Sequence, residues 1–165
     1  MRIAILGAGG VGGYYGGVLA RSGHAVHLLA RGENLTTLRQ KGLEVRTPDE
    51  SFVVRVNAES DVKQLGPADW AIVAVKTYSL AEVATAAQYL AQGGALIIPL
   101  LNGIDIADRL VELGVPRENV LGGLTTISAV RTSSLRRSLP RQIPGNATHC
   151  AANRSRPVSV SSTSR

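Results

Sequence analysis

The run Gly7-Ala8-Gly9-Gly10-Val11-Gly12 constrains the fold of this chain more than any other feature. It directly follows a short apolar run, residues 2–6, and it opens a stretch with apolar residues at helical spacing: Val11, Tyr15, Val18 and Leu19. A G-x-G-x-x-G pattern between a strand and a helix is typical of a dinucleotide-binding turn. Its first glycine permits the tight turn, its second lets the backbone approach a pyrophosphate, and its third permits close packing of helix on strand. We therefore predict that this run holds the phosphates of a dinucleotide at a helix N-terminus.

The rest of the first 130 residues alternates between strand and helix patterns. Apolar runs predict strands at residues 2–6, 25–30, 43–46, 52–56, 70–75, 95–98 and 120–130. Helical spacing predicts helices at residues 10–22, 33–41, 80–92 and 105–113. Thr47-Pro48-Asp49-Glu50 predicts a hairpin turn, and Ser79 with Glu82 fits a helix capping box. This alternation predicts an α/β fold, a Rossmann-like, doubly wound and mostly parallel sheet with helices on both faces.

The composition changes abruptly near residue 131. The chain of 165 residues has a net charge of +6, but residues 1–130 carry 11 basic and all 12 acidic side chains. The other seven charges are arginines in residues 131–165. We therefore predict a dinucleotide-binding domain over residues 1–131. Residues 132–165 are rich in Ser, Arg and Pro and show no periodicity, which predicts an irregular, disordered tail.

Several classes of protein are excluded by the sequence. The longest apolar stretch, residues 95–101, is far shorter than the roughly 18 residues that a membrane span needs, and no signal peptide is present. One cysteine cannot build a disulfide framework. The arginines of the tail lack the aromatic residues that stack on nucleic acid. We therefore expect a cytoplasmic protein that binds neither a membrane nor nucleic acid.

The histidines and the cysteine do not form a metal site by sequence. His24 and His27 fall at the second strand, away from the expected ligand edge, and we interpret them as structural. His149 and Cys150 are neighbours in the tail with no further ligand nearby. No Gly-x-Ser-x-Gly, His-Glu-x-x-His or paired-carboxylate arrangement occurs. We predict no metal.

Arg31 follows the second strand, where a site for NAD normally carries an acidic residue that binds the ribose hydroxyls. An arginine suits a 2′-phosphate, because its guanidinium offers a permanent charge and a fork of donors. The alternative is a solvated arginine at a helix start, and the nearby Glu33 weakens the case for phosphate slightly. We predict NADP(H) as the cofactor.

Lys76 and Asn102 each lie after a predicted strand, at the sheet edge where open α/β sheets bind ligands. Lys76 has the reach for a phosphate, a ribose or a substrate carboxylate. Asn102 has the donors and acceptor to orient a nicotinamide amide or a substrate oxygen. The alternatives are a solvated loop lysine and an Asn-Gly turn in which Gly103 supplies a positive φ.

Five blocks of sequence resemble the N-terminal half of the ketopantoate reductase (2-dehydropantoate 2-reductase) family. They occur in the family's order and spacing over residues 1 to about 131: residues 2–12, Leu29-Ala30-Arg31, Val73-Ala74-Val75-Lys76-Thr77, Leu101-Asn102-Gly103 and residues 123–129. The glycine run is shared with many dehydrogenases. The valine-rich strand that ends in lysine, followed by the Asn-Gly block, is far more particular to this family.

The resemblance implies NADPH-dependent reduction of a 2-oxo acid, ketopantoate to pantoate, in pantothenate and coenzyme A biosynthesis. It implies that Gly7–Gly12 hold the pyrophosphate and Arg31 the 2′-phosphate. Lys76 and Asn102 would lie where cofactor and substrate meet, as residues that bind both, and Ala129 would contact the cofactor through its backbone.

Members of that family are roughly twice as long and have a helical second domain that supplies a lysine as general acid. That domain is absent from this sequence, so no catalytic set is complete and we expect cofactor binding with little or no turnover. The composition of the tail suggests translation out of frame near codons 131–135. Two alternatives stay open: a related NADP-dependent dehydrogenase of another 2-oxo or 3-hydroxy acid, and a non-catalytic dinucleotide-binding module.

Overall fold

A computed structural model describes residues 1–132 and 158–161, and the elements below belong to those residues. The strands are β1 (Arg2–Leu6), β2 (Ala25–Leu29), β3 (Leu43–Arg46), β4 (Ser51–Val54), β5 (Asn57–Glu59), β6 (Trp70–Val73), β7 (Leu96–Pro99), β8 (Ala129–Thr132) and β9 (Val158–Ser161). The α-helices are α1 (Gly10–Arg21), α2 (Gly32–Lys41), α3 (Val62–Leu65), α4 (Leu80–Gln92) and α5 (Ile106–Glu112). Two short 3-10 turns cover Thr77–Ser79 and Arg117–Asn119.

Five of the strands form one sheet in the order β5-β2-β1-β6-β7, and every neighbouring pair in it is parallel. The chain runs outward from β1 to β2 and β5, then returns to the other side of β1 for β6 and β7. The strand order therefore reverses beside β1, and a crevice opens there at the carboxyl ends of the strands. The predicted Rossmann-like, doubly wound α/β fold is confirmed.

Both faces of this sheet are covered, because alternate residues of each strand point to opposite sides. Ala4 and Leu6 of β1 belong to a core shared with α4 and α5. Ile3 and Ile5 belong to a second core shared with α1, α2 and β3. All four side chains are buried, so β1 lies at the centre of the domain and fixes the position of the loop that follows it.

Helix α1 packs on the sheet through glycines and not through the predicted apolar stripe. Its buried residues are Gly12, Gly13, Gly16 and Gly17. A Cβ atom at Gly17 would overlap the side chain of Val45, so the helix backbone lies against β3. Val11 and Leu19 do contact the second core, but Tyr15 and Val18 do not. The predicted helix is confirmed, but only two of the four apolar residues at helical spacing pack on a core, because the buried face of the helix is formed by its glycines.

A smaller second sheet contains the predicted hairpin. Strands β3 and β4 pair antiparallel, which confirms that prediction, and β9 lies between β3 and β8. The four residues of β9 fall in the stretch predicted to be disordered, so for them that prediction is wrong: their backbone hydrogen bonds are satisfied by two strand neighbours. Residues 133–157 and 162–165, including His149 and Cys150, lie outside the described residues.

Two further local predictions differ from the structure. Ser79 precedes α4 but makes no capping hydrogen bond, because it ends a 3-10 turn and has φ −98° and ψ 8° in place of the extended cap conformation. The strand predicted at 120–130 is reduced to a single bridge from Val120 to Ile97, followed by β8. Strand β5 and helix α3 are too short to show a sequence period. No helix within the described residues is long and apolar enough to cross a membrane.

Candidate functional site

A cleft of about 810 Å³ opens at the carboxyl edge of the five-stranded sheet. It brings together nearly all the residues predicted from sequence to bind a ligand: Gly7, Ala8, Gly9, Gly10, Val11, Arg31, Lys76, Asn102 and Ala129. Gly12 does not line the cleft and lies beneath it. The charged side chains of the lining are Arg31, Lys76 and Glu82, so cations outnumber acids and the cleft suits an anionic ligand.

The loop between β1 and α1 is fixed by steric constraints on its first and last glycines. Gly7 has φ +109°, and a Cβ atom there would lie 2.7 Å from the carbonyl oxygen of Ala74. A Cβ atom at Gly12 would overlap the carbonyl oxygen of Gly7 and lie 3.2 Å from the Ala74 Cβ. The predicted roles of a tight turn and of close packing are therefore visible in the geometry.

Gly9 differs from both of these glycines. A Cβ atom built on it would meet nothing within 4 Å, because this position faces the open cleft. Gly9 is also the N-cap of α1, where no side chain caps the helix and no acidic residue occupies the first turn. The first amides of a helix have no partner within it, so they are available to an anion in front of Gly9. This arrangement can hold a pyrophosphate at close range.

Arg31 lies at the end of β2, on one side of the glycine loop, as the N-cap residue of α2. Its side chain is exposed, lines the cleft, and makes no ion pair within residues 1–129. The acidic residue in the first turn of α2, Glu33, is exposed and does not line the cleft. The guanidinium is therefore available to a phosphate on the β2 side of the site.

Asn34 is a residue of the site that sequence reasoning missed. It lines the cleft beside Arg31, and its Nδ2 donates a hydrogen bond of 3.3 Å to the carbonyl oxygen of Ala8. This contact joins the first turn of α2 to the glycine loop. Its only sequence signal is a position one helical turn after Arg31, on the same face of α2.

Lys76 and Asn102 lie on the other side of the glycine loop, after β6 and near β7. Both are exposed, and neither makes an ion pair or a side-chain hydrogen bond within the described residues. Gly103 has φ +129°, so Asn102 and Gly103 also form the turn that was the structural alternative. The two interpretations are compatible, because the turn leaves the Asn102 amide at the cleft.

Residues 121–129 cross the cleft on the same side, and sequence reasoning assigned only Ala129 to the site. Thr125, Ile127 and Ser128 line the cleft as well. Thr125 Oγ1 shares a hydrogen bond of 2.7 Å with the hydroxyl of Tyr15, and it accepts a hydrogen bond of 3.4 Å from the Ile127 amide. No local pattern reveals a contact between residues 110 positions apart.

The histidines of the described residues lie away from the cleft, as predicted. His27 lies in β2, where burial and then the positive charge of Arg2 lower its pKa from the ordinary value of 6.5, against a smaller opposite effect of Glu59. Within the described residues no three His, Cys, Asp or Glu side chains come together as metal ligands.

The geometry of the cleft fits a dinucleotide. The strand order reverses at β1, so one nucleotide half has its place over β2 and the other over β6 and β7. Gly9 leaves room for the pyrophosphate between the halves, and Arg31 stands on the β2 side.

Comparison with known proteins identifies the family. The sequence model of the ketopantoate reductase PanE/ApbA family matches residues 3–157. The chain belongs to this family. The match continues past residue 131, into the stretch that its composition sets apart.

Among curated proteins of the ketopantoate reductase family, the 2-dehydropantoate 2-reductase of Halobacterium salinarum is 40% identical over 136 residues, which cover 80% of this chain and 44% of that protein. Among solved structures, the 2-dehydropantoate 2-reductase of Porphyromonas gingivalis W83 is 28% identical, with a TM-score of 0.71 over 98% of this chain and 51% of that one. The chain thus spans about half the length of these relatives.

The same fold occurs in a dehydrogenase of another name. The ternary structure of D-mandelate dehydrogenase with NADH and anilino(oxo)acetate matches with a TM-score of 0.70 at 27% identity. The match covers 78% of this chain and 41% of that one.

Proposed function

We propose that this chain binds NADP(H) and forms the cofactor half of an oxidoreductase that reduces ketopantoate to pantoate. This reaction would place it in pantothenate and coenzyme A biosynthesis in the cytoplasm. The observation that carries the proposal is the pairing of an open, uncapped helix N-terminus at Gly9 with Arg31 at the end of β2, which makes no ion pair within residues 1–129. The first suits a pyrophosphate and the second a 2′-phosphate.

The residues of the cleft that were predicted to bind a ligand have separate roles in this proposal. The first amides of α1 donate hydrogen bonds to the pyrophosphate, and Arg31 binds the 2′-phosphate through paired donors. Lys76 and Asn102 lie on the β6–β7 side, where they contact the nicotinamide half and the substrate carboxylate or oxygen. The backbone of Ala129 contacts the cofactor from the same side. The cofactor, when bound, supplies the hydride.

Reduction of a carbonyl also needs a proton donor at the carbonyl oxygen and a cleft closed to water. In this proposal the donor is the general-acid lysine of a helical domain, which residues 1–132 do not contain. Two exposed apolar side chains support the need for a covering domain: Tyr78, which lines the cleft, is 85% exposed, and Leu124, next to the lining residue Thr125, is 86% exposed. We expect the chain alone to bind cofactor and to turn over little or no ketopantoate.

Calorimetric titration of the full chain with NADPH and with NADH tests the cofactor assignment. We expect saturable binding of NADPH that is about 10- to 100-fold tighter than binding of NADH, the effect of charge-assisted hydrogen bonds to one phosphate. The variant Arg31→Met retains most of the aliphatic stem and removes the charge. This substitution should lower the affinity for NADPH to that for NADH and leave the affinity for NADH unchanged.

Arg55 offers a matched control, because it is an exposed arginine that does not line the cleft. Arg55→Met should leave the ratio of the two affinities unchanged. Equal affinities in the parent protein would contradict the choice of NADP(H), and absence of binding by either cofactor would contradict the whole proposal.

The D-mandelate dehydrogenase match favours a second candidate, a dehydrogenase of another 2-oxo acid that uses the same cofactor half. The two candidates differ in substrate, and Lys76 and Asn102 are the residues of the cleft proposed to contact it. Ketopantoate and benzoylformate should each be titrated onto the NADPH complex. Tighter binding of benzoylformate would favour the second candidate.

A further inference from the structure

One hydrogen bond joins helix α1 to residues 121–129, the segment that crosses the cleft and is called here the cleft wall. The hydroxyl of Tyr15 and Oγ1 of Thr125 are 2.7 Å apart, although 110 positions separate the two residues in sequence. Tyr15 lies in the second turn of the helix whose N-terminus faces the pyrophosphate position. Thr125 lines the cleft. The contact therefore connects the phosphate-binding helix to a separate part of the site.

The cleft wall makes few other hydrogen bonds, although Gly123 packs against β7, where a Cβ atom on it would overlap the Pro99 carbonyl oxygen. From residue 121 to residue 129, odd-numbered residues are half-buried and even-numbered residues are exposed, which is the alternation of an extended chain. The Leu121 amide bonds to the Ile97 carbonyl, and β8 begins at Ala129. Between Leu121 and Ala129, the Tyr15–Thr125 contact is the only hydrogen bond within the described residues that connects residues 122–128 to another element.

Core packing does not account for Tyr15. The neighbouring Tyr14 packs against the second core, whereas Tyr15 belongs to neither core. Its ring meets the ring of Tyr14 edge-on, with centroids 5.4 Å apart, and this contact orients it toward the cleft wall. In this orientation the hydroxyl reaches Thr125.

We propose that Tyr15 is a positioning residue for the nicotinamide half of the cofactor, which it serves through Thr125. The proposal rests on the proposed function, because the β6–β7 side of the cleft is the nicotinamide side only if NADP(H) binds there. The Tyr15 hydroxyl is hydrogen-bonded to Thr125, and the Thr125 hydroxyl accepts a hydrogen bond from the Ile127 amide. One tyrosine hydroxyl therefore fixes the path of the cleft wall between Thr125 and Ala129. The adenosine side, with Arg31 and Asn34, does not depend on this contact.

The test compares the whole cofactor with its adenosine end. Tyr15→Phe removes only the hydroxyl. It should lower the affinity for NADPH about 3- to 10-fold, which corresponds to the net contribution of one hydrogen bond. It should leave the affinity for adenosine 2′,5′-bisphosphate unchanged, because this probe lacks the nicotinamide. Tyr14→Phe is the matched control, since the Tyr14 hydroxyl makes no hydrogen bond within the described residues, and it should change neither affinity.

Thr125 provides a rescue experiment. Thr125→Val should reproduce the loss of NADPH affinity, and Thr125→Ser, which retains the hydroxyl, should restore it. If these residues only stabilised the fold, their substitutions would weaken binding of both ligands, and retaining the hydroxyl would not restore the affinity for NADPH. Equal weakening of NADPH and of the adenosine probe by Tyr15→Phe, or no change in either, would overturn the proposal.

Hydrogen exchange of the cofactor-free chain separates this proposal from the cofactor assignment. Tyr15→Phe should speed exchange of the Ile127 amide and leave the amides of β1 unchanged, whether or not NADPH binds. Unchanged exchange at Ile127 would overturn the positioning role. Failure of the parent protein to bind NADPH would instead overturn the proposed function.

Discussion

The centre and the rim of the cleft are built in different ways. At the centre, the groups proposed to bind the ligand are backbone atoms, and steric contacts fix them: neither Gly7 nor Gly12 has room for a Cβ atom. At the rim, the groups proposed to bind it are side chains, and Arg31, Lys76 and Asn102 are exposed without ion pairs within residues 1–129.

Because of this difference, we expect the centre to supply general affinity for the phosphates and the rim to supply selectivity between ligands. A rigid centre has lost its conformational entropy on folding, so phosphate binding there costs little further ordering. The rim side chains still rotate and become ordered only when a ligand or a covering domain meets them. We therefore expect changes at the centre to alter folding and binding together, and changes at the rim to alter binding alone.

The largest effect is expected for Gly12→Ala. The new Cβ atom would overlap the Gly7 carbonyl oxygen, so the glycine loop must shift. We expect the free energy of unfolding to fall by about 3 kcal/mol, at the upper end for an overpacked site, and saturable NADPH binding to be lost. Urea unfolding and calorimetry on the same samples measure both quantities.

Gly9→Ala is the matched change at the same loop. Its φ of −85° suits alanine, and its Cβ atom would project into open space in the cleft. The unfolding midpoint should stay that of the parent, while NADPH binding falls about 10-fold or more as amide contacts to the charged phosphates are blocked. A Gly9→Ala protein that binds normally would show that the pyrophosphate does not approach this residue.

A smaller effect is expected at the rim. Lys76→Met and Asn102→Ala remove exposed side chains without partners in residues 1–129, so stability should stay within about 0.5 kcal/mol of the parent. NADPH affinity should fall about 3- to 10-fold in each, for one lost ligand hydrogen bond. A large drop in melting temperature would show that the rim is part of the folded framework, and the contrast with the centre would fail.

The smallest effect concerns pH and lies away from the cleft altogether. The pKa of His27 is lowered from 6.5 in the folded protein, so below that pH the unfolded chain binds more protons at this residue than the folded one does. His27 should therefore cost stability as the pH falls through 6.5 toward its folded pKa. Urea midpoints at pH 7.5 and pH 5.5 should differ less for His27→Gln than for the parent. An equal pH dependence in both proteins would assign the effect to other groups.

The sequence was sufficient for the parts of the site that depend on local geometry. Gly7 and Gly12 could be assigned because a strand, a tight turn and a helix are adjacent in the chain. Arg31, Lys76 and Asn102 could be placed at one edge because parallel strands share their carboxyl ends. Asn34 and Thr125 could not, because their partners are 26 and 110 positions away and are set by tertiary packing.

Periodicity also misled at two places. In α1 the apolar residues are spaced as a core-facing stripe, yet the glycines face the sheet, because close approach of the backbone excludes larger side chains. The run predicted as a strand at residues 120–130 has the alternating exposure of an extended chain from residue 121 to residue 129, yet it leaves β7 after one bridge and crosses the cleft. Alternation reports an extended backbone and does not report whether a neighbouring strand is present.

The glycine-rich face of α1 links the concentration of the cofactor to the folding equilibrium. Five of the twelve residues of this helix are glycine, and each costs about 1 kcal/mol of helix propensity relative to alanine. The helix therefore does not persist in the unfolded chain, and its N-terminal amides come together as an anion site only when the sheet has formed beneath them. A ligand of that site binds the native state alone and at 100 times its Kd adds about 2.7 kcal/mol to the free energy of unfolding. With the proposed cofactor, the concentration of NADP(H) would thus shift the fraction of this chain that is folded.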